Sequence, residues 1–355
     1  MKGTEPHCNL IVHDFLATNG GAEKVTLHLA KILENSEILV SYTEKKIFDY
    51  KLKNLNEFYR PIGINFFDFF LIFLKFLSYK TKKNPKNIIF SGIFAPLSQK
   101  NFKGKKIYYC HTPPKFLFIK NHWLKKFNWL LWPILNFYKK EYKKSLNQMD
   151  IILSNSEYTK NNLHNYFSIK SEVLYPPIEI DEFSYEESSD FYLSTGRLET
   201  VKNIKSVIEA FKIMQNKKLV VSSGGTLYEK FKHKYKDCKN IVFTGWLTKD
   251  QQKNYLSKCI ATIYVPFHED FGMSSVESLA AGKPVLGINE GGQKEILSHK
   301  ENSFLCHSSM LVKDIIKGVE FLNKEKCKEM KERCIKTSKK FSSKKFNESL
   351  LEIIK

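Results

Sequence analysis

The sequence predicts an α/β protein built from two parallel-sheet domains, and three observations carry that prediction. Short apolar runs alternate with amphipathic stretches along the whole chain. A Pro-Pro break at residues 176–177 runs into the acidic, Ser-containing stretch IEIDEFSYEESSD, which suits an interdomain connection. Third, 355 residues with 42% hydrophobic content amount to about two domains, at roughly 100 to 200 residues each. Strands that alternate with helices pair in parallel through right-handed crossovers. The expected division is residues 1–178, 179–340 and a C-terminal helix, 341–355, that packs back on the first domain.

The elements follow in order. Residues 10–13 (LIVH) read as a strand that passes through Asn19-Gly20-Gly21 into a helix with Ala22, Val25, Leu29 and Leu33 on one face. The runs at 87–92 (NIIFSG), 106–110 (KIYYC) and 150–155 (DIILSN) continue the first sheet. A second series appears at 191–196 (FYLSTG), 218–225 (KLVVSSGG), 240–245 (NIVFTG), 261–266 (ATIYVP) and 283–288 (KPVLGI). Helical patterns such as NIKSVIEAFKIM and DQQKNYLSK lie between them. The tail from Ser342 sets Phe346, Leu350 and Ile353 at helical spacing.

Composition narrows the function classes. Seven cysteines, at 8, 110, 238, 259, 306, 327 and 334, include no C-x-x-C pair, so they read as reduced thiols in a cytosolic chain and not as a disulfide framework or zinc site. The first residues show no basic-then-apolar signal pattern, so secretion is not expected. The net charge is +20, and residues 51–150 hold 20 basic against 4 acidic side chains. Only Arg60, Arg197 and Arg333 among the 57 basic residues are arginine, so an arginine inside a motif departs from the default. A nucleic-acid-binding module would explain a pI near 9.4, but the arginine and aromatic motifs of such modules are absent.

The excess charge is interleaved with two apolar stretches, FFDFFLIFLKFL at 66–77 and WLLWPILNFY at 129–138. Both are too short to span a bilayer, which needs about 20 apolar residues. Lys80, Lys82 and Lys83 flank the first; Lys125, Lys126, Lys139, Lys140, Lys143 and Lys144 flank the second. Aromatic and apolar residues edged by lysine favour the interface of an anionic leaflet. Buried core helices with a solvated lysine face are the alternative.

Chemistry concentrates in four segments. In residues 265–297, Glu269 and Glu277 are separated by seven residues, with the apolar-Gly turn Phe271-Gly272-Met273 between them. Carboxylates suit sugar hydroxyls because each oxygen accepts at two lone pairs. Ser274 with Glu277 also fits a helix capping box, an alternative reading of Glu277 that leaves Glu269 and Gly291-Gly292 unexplained. In STGRLETVKN, a strand ends at Gly196 and the cations Arg197 and Lys202 precede a helix, a natural site for a diphosphate. Asn19-Gly20-Gly21 opens the first helix; it suits either a tight turn or a close approach of backbone to an anion. In YYCHTPPKFL, His111 follows a strand directly, at the strand end where ligand clefts of α/β sheets form. Ser223-Gly224-Gly225 and Thr244-Gly245-Trp246 also lie at strand ends, and 11 of the 16 glycines fall in these segments.

The pattern E-D-F-G-x-x-x-V-E-x-x-A-x-G-x-P-V, with its later Gly-Gly, resembles the donor-sugar motif of the retaining glycosyltransferases of family GT4, and the G-R-x4-K segment matches the same family. The resemblance implies a GT-B fold: two Rossmann-like, doubly wound parallel-sheet domains facing each other across a cleft. By that resemblance Arg197 and Lys202 would neutralise the donor diphosphate, Glu277 would bind the ribose, and Glu269 would hold the hexose with the backbone of Phe271, Gly272 and Met273. Ser274 belongs to the same donor-binding turn, and Thr244, Gly245 and Trp246 would line the nucleoside pocket. Gly20, Gly21 and Gly196 would let backbone approach the donor. The H-T-P-P segment resembles a subset rich in enzymes using GDP-mannose, in which the histidine matching His111 touches the sugar near its 6-hydroxyl. His111, Glu269, Arg197 and Lys202 would form the reacting set.

The implied function is transfer of a hexose from a nucleotide diphosphate sugar, mannose or a UDP-linked sugar, to a glycan or lipid-linked acceptor with retention. Lacking a D-x-D pattern at the diphosphate, the chain needs no metal and no cofactor on this reading. A cytoplasmic protein, peripheral on the inner face of the cell membrane and without nucleic-acid partners, is expected. A non-catalytic subunit of a glycan assembly complex is a more remote alternative.

Overall fold

The computed structural model describes residues 9–18, 20–44, 54–63, 65–81, 83–118 and 128–355; Cys8, Asn19, Lys82, Lys125 and Lys126 lie outside them. The chain divides into two compact units, 1–175 with 349–355, and 176–348.

The first unit holds β1 (Asn9–His13), α1 (Gly21–Ile32), β2 (Ser36–Val40), β3 (Leu55–Glu57), α2 (Asn65–Ser78), β4 (Asn87–Ser91), β5 (Lys105–Cys110), α3 (Asn128–Leu146), β6 (Ile151–Ser154), α4 (Glu157–Phe167) and β7 (Glu172–Val173). Among the described residues its strands form one seven-stranded parallel sheet in the order β3-β2-β1-β4-β5-β6-β7. The order reverses between β1 and β4, and the crevice at the carboxyl ends of such a pair is where open α/β sheets bind ligands.

The second unit holds β8 (Tyr192–Ser194), α5 (Ile204–Ile213), β9 (Leu219–Val221), α6 (Tyr228–Lys234), β10 (Ile241–Phe243), α7 (Lys249–Lys258), β11 (Thr262–Ile263), α8 (Met273–Ala280), β12 (Val285–Ile288), β13 (Ser303–Cys306), α9 (Leu311–Phe321) and α10 (Lys324–Ser338). Its parallel sheet runs β10-β9-β8-β11-β12-β13, with the reversal between β8 and β11. The last helix, α11 (Ser343–Ile354), starts in the second unit, and residues 349–355 group with the first, where Lys105 Nζ donates to the Ile353 carbonyl at 2.6 Å.

The aromatic content of the first unit builds its core and fixes one loop. Phe73 and Phe76 of α2, Phe90 of β4, Tyr108 of β5, and Tyr138 and Tyr142 of α3 pack in one buried cluster. Each such side chain contributes roughly 1.5–3 kcal/mol by leaving water. The buried phenols find partners: Tyr108 donates to the Gly92 carbonyl at 2.9 Å and Tyr138 to the Ile93 carbonyl at 2.7 Å, so the loop after β4 is tied to the core.

The two readings of the apolar stretches divide along each helix. Ile72, Phe73 and Phe76 of α2, and Leu131, Tyr138, Tyr142 and Leu146 of α3, face the core. Phe67 and Leu74 of α2, and Trp132 and Phe137 of α3, are exposed, with Lys75, Lys139, Lys140, Lys143 and Lys144 exposed on the same two helices. Asp68 is not a solvated interruption: it is buried and accepts from Tyr59 Oη, from Ile62 N at 2.8 Å and from Gly63 N at 3.0 Å, fixing the entry to α2. Among the described residues no helix is long and apolar enough to cross a membrane.

Candidate functional site

The second unit gathers its candidate residues on the loops that leave β8 and β11, the strands flanking the reversal. Parallel pairing sets Ile263 opposite Ser194, so the chain leaves both strands at the same level. From β11 the next residue is Tyr264, buried; from β8 the chain turns through Gly196 and Arg197 to a short 3-10 turn, Thr200–Lys202, ahead of α5. A β-carbon at Gly196 would lie 3.1 Å from Ile204, 3.5 Å from Lys202 and 3.6 Å from Tyr264, which explains the absence of a side chain there.

Tyr264 organises the cluster. Lys202 Nζ donates to Tyr264 Oη at 2.9 Å and to Glu269 Oε2 at 2.6 Å, and Tyr264 Oη donates to the same Glu269 oxygen at 3.0 Å. Burial first, and then the Glu269 carboxylate, hold the Tyr264 phenol well above its usual range; the field of Arg197 lowers it and that of Glu277 raises it. Lys202 and Glu269 therefore meet at one hydroxyl, and the charges of Arg197 and Glu277 act on the same phenol. Arg197, Lys202, Glu269 and Glu277 are all half-buried, as a site open to a charged ligand requires. Tyr264 itself carried no signal in the sequence.

The Glu269 loop is set by backbone crowding. Gly292 N donates to the Glu269 carbonyl at 2.9 Å, and a β-carbon at Gly292 would sit 2.0 Å from the Asp270 carbonyl oxygen. One at Gly291, at φ +66°, would sit 2.4 Å from the Glu269 carbonyl oxygen. The Gly-Gly pair thus exists to let this loop pass. Buried Gln293 completes the support, donating from Nε2 to the Tyr264 carbonyl at 3.0 Å and to Ser275 Oγ at 3.1 Å, while its Oε1 accepts from Ile288 N at 3.0 Å.

The capping-box reading of Ser274 is overturned. Gly272, at φ +102°, is the residue preceding α8, and Ser274 lies inside the helix, so Glu277 is no capping partner. Phe271 is buried; Met273 and Ser274 are half-buried in the first turn. Beyond β10, Thr244 donates to the Val221 carbonyl at 3.3 Å, Gly245 adopts φ +73°, and Trp246 is 67% exposed, an unusual exposure for a tryptophan. Its indole lies against Gly224, where a β-carbon would come within 2.3 Å of Nε1. Gly224 and Trp246 thus form one surface.

In the first unit, β1, β4 and β5 end in a buried polar group. His13 Nδ1 lies 2.8 Å from the Ser91 carbonyl oxygen, and Ser91 Oγ lies 2.7 Å from His111 Nε2. Burial lowers His13 to about 4; burial, assisted by the His13 charge, lowers His111 to about 3, so both rings are neutral at pH 7. Asp14 accepts from the backbone N–H of Ile93, Phe94 and Ala95 at 2.7, 2.9 and 2.8 Å. Burial pushes its carboxyl up to about 6 against the pull of those donors. Gly20 immediately precedes α1, and Gly21 is the first helical residue. A β-carbon at Gly20 would meet Glu23 Oε2 at 2.6 Å, and Glu23 is itself held by Thr18 Oγ1 at 2.6 Å. Among the described residues, no group of three or more His, Cys, Asp or Glu side chains is placed to hold a metal ion.

Residues 178–341 match the family described as glycosyl transferases group 1, and residues 19–182 match glycosyltransferase family 4. The α-1,3/1,6-mannosyltransferase ALG2 of Mus musculus is 28% identical over 245 residues, covering 58% of this chain and 56% of the relative. The Saccharomyces cerevisiae protein of the same name is 26% identical over 244 residues, covering 54% and 47%. The chain thus spans about half the length of these curated relatives. Among solved structures, Anabaena HepE with UDP and glucose superposes with a TM-score of 0.76 at 16% identity, over 97% of this chain and 98% of that one. Sucrose-phosphate synthase of Thermosynechococcus elongatus superposes at 0.78 with 12% identity, over 97% and 98%. The two parallel sheets are those of the GT-B fold, and the chain belongs to the GT4-type family of glycosyltransferases.

Proposed function

We propose that the protein transfers a hexose from a nucleoside diphosphate sugar to a glycan or lipid-linked acceptor, with retention, and that GDP-mannose is the donor. The observation that carries the reading is the meeting of Lys202 and Glu269 at Tyr264, on a phenol that also feels the charges of Arg197 and Glu277. Two cations at the end of a parallel strand supply what a diphosphate needs, and two carboxylates supply acceptors for ribose and hexose hydroxyls. The mannose assignment rests on the relatives being mannosyltransferases and on the His111-Thr112-Pro113-Pro114 segment. A UDP-sugar is the alternative donor.

On this reading catalysis is electrostatic. Arg197 and Lys202 stabilise the negative charge that grows on the departing diphosphate, and that group itself takes the proton of the attacking acceptor hydroxyl. The charge is carried by side chains, so the reaction needs no divalent ion and should survive chelation. His111 is assigned to the sugar, Glu277 to the ribose, and the surface of Gly224 and Trp246 to the base.

The acceptor is assigned to the inner face of the cell membrane. Exposed Phe67, Leu74, Trp132 and Phe137 stand among exposed lysines, a pairing of apolar and cationic groups that fits an anionic leaflet. Donor hydrolysis screened with GDP-mannose, UDP-glucose, UDP-N-acetylglucosamine and UDP-galactose tests the reaction. GDP-mannose turnover is expected, and hydrolysis of none of them by folded protein would overturn the reading. Co-sedimentation with anionic and neutral vesicles tests the surface. Equal binding to both would remove its electrostatic half.

A further inference from the structure

The hydrogen bonds around Ser91 fix more than the position of His111. His13 Nδ1 points at the Ser91 carbonyl oxygen at 2.8 Å. A carbonyl only accepts, so His13 carries its proton at Nδ1, from where it also reaches Ser91 Oγ at 3.1 Å. Thr26 is fully buried, and among the described residues its hydroxyl has one partner, Ser91 Oγ at 3.2 Å. Either oxygen could donate in this pair, but if Ser91 did, the Thr26 hydrogen would be buried with no acceptor among the described residues, so the hydrogen is assigned toward Ser91. Ser91 Oγ now accepts twice, and its single hydrogen has one acceptor left, His111 Nε2 at 2.7 Å.

We propose that Ser91, completed by Thr26, is a positioning residue that holds His111 as the neutral tautomer protonated at Nδ1, so that His111 presents an N–H donor to a sugar hydroxyl oxygen. The ring is neutral because it is buried beside a second histidine, 6.3 Å away between centroids. A neutral imidazole that accepts at Nε2 must carry its hydrogen at Nδ1. That nitrogen has no protein partner among the described residues. Asn155 Nδ2 donates to the His111 carbonyl at 2.8 Å and Tyr109 packs edge-on at 4.9 Å, so backbone and ring plane are both held.

The consequence is chemical. An Nδ1–H cannot take a proton, so His111 serves as a recognition donor and not as a general base, and the acceptor's proton is left to the departing diphosphate. This role toward sugar rests on the functional reading above; the tautomer itself does not.

Long-range proton–nitrogen correlation spectra of the whole chain, with 15N-labelled histidine, test the proposal. His111 is assigned from the signal lost in His111→Gln. In the ligand-free protein Nε2 should resonate as an unprotonated nitrogen and Nδ1 as a protonated one; the opposite tautomer, or an imidazolium, overturns the relay. Ser91→Ala should give a mixture of tautomers and lower donor-hydrolysis kcat/KM about tenfold, the worth of one oriented hydrogen bond. If that variant does not fold, the wild-type spectrum alone decides. A chain with the expected tautomer that hydrolyses no nucleotide sugar would instead sink the functional reading and leave the relay standing.

Discussion

Removing one oxygen, in Tyr264→Phe, isolates what the cluster contributes to donor binding. The Lys202 ammonium has three N–H donors. In the structure one goes to Tyr264 Oη at 2.9 Å and one to Glu269 Oε2 at 2.6 Å, which leaves the third for a phosphate oxygen. The phenol therefore acts as a brace that fixes the ammonium's rotation. Hydrogen bonds to charged groups are worth roughly 1.5–3 kcal/mol. Phenylalanine keeps the ring and its packing, and the Lys202–Glu269 ion pair survives, so the loss should sit at the lower end, about 1.5 kcal/mol or a little over tenfold in affinity. Calorimetric titration with a nucleoside diphosphate, and separately with the nucleoside, reads this directly. The diphosphate should bind about tenfold more weakly to Tyr264→Phe, while the nucleoside is unchanged. Equal loss for both ligands would show a general collapse of the pocket, and no loss for either would show that Lys202 needs no brace; each refutes the argument.

Three further outcomes follow from the same geometry. Arg197→Ala should lower donor turnover by about 100-fold or more, the effect of losing one preorganised charge-stabilising donor, and a loss below tenfold in folded protein counts against its role at the diphosphate. Gly292→Ala forces a β-carbon to within 2.0 Å of the Asp270 carbonyl oxygen, so the loop must shift; a stability loss of about 1–3 kcal/mol by urea titration should accompany loss of activity. The third concerns pH. His13 and His111 sit at about 4 and about 3, below the ordinary 6.5, so the unfolded chain takes up their protons first and stability falls as pH drops below 6.5. Asp14, at about 6 and above the ordinary 3.8, is protonated first in the folded chain and opposes that loss between pH 6 and 4. Asp14→Asn removes the opposition, so its stability should fall more steeply than wild type across that window, by about 1.4 kcal/mol per pH unit in urea titrations. A shallower fall would contradict the burial of the carboxyl.

How much of this was legible beforehand depends on whether the cause was local. The strand cores at 87–92, 106–110 and 150–155 were readable because both sheet faces are covered and the runs are continuously apolar. The strands β2, β3, β7 and β13 were not readable. β3 (LNE) and β7 (EV) are edge strands of three and two residues, half-exposed or exposed, and nothing within so short a stretch separates them from loop. The motif residues of the second unit were legible because their spacing is itself the signal. The supports of those residues were not, since Tyr264 is one of 17 tyrosines, and Gln293 and Ser91, though they adjoin legible segments, carry no spacing signal of their own. Their meaning comes from register. Lys202 and Glu269 are 67 residues apart, and they meet because winding the sheet outward from β8 in both directions makes β11 its neighbour. The pairing of Ile263 with Ser194 then brings Tyr264 level with the Gly196 turn. Slipping that pairing by one residue would turn Tyr264 to the opposite face of the sheet and separate its hydroxyl from Lys202. A two-residue strand thus decides whether the cations and carboxylates form one site, a dependence that no inspection of the motifs alone could disclose.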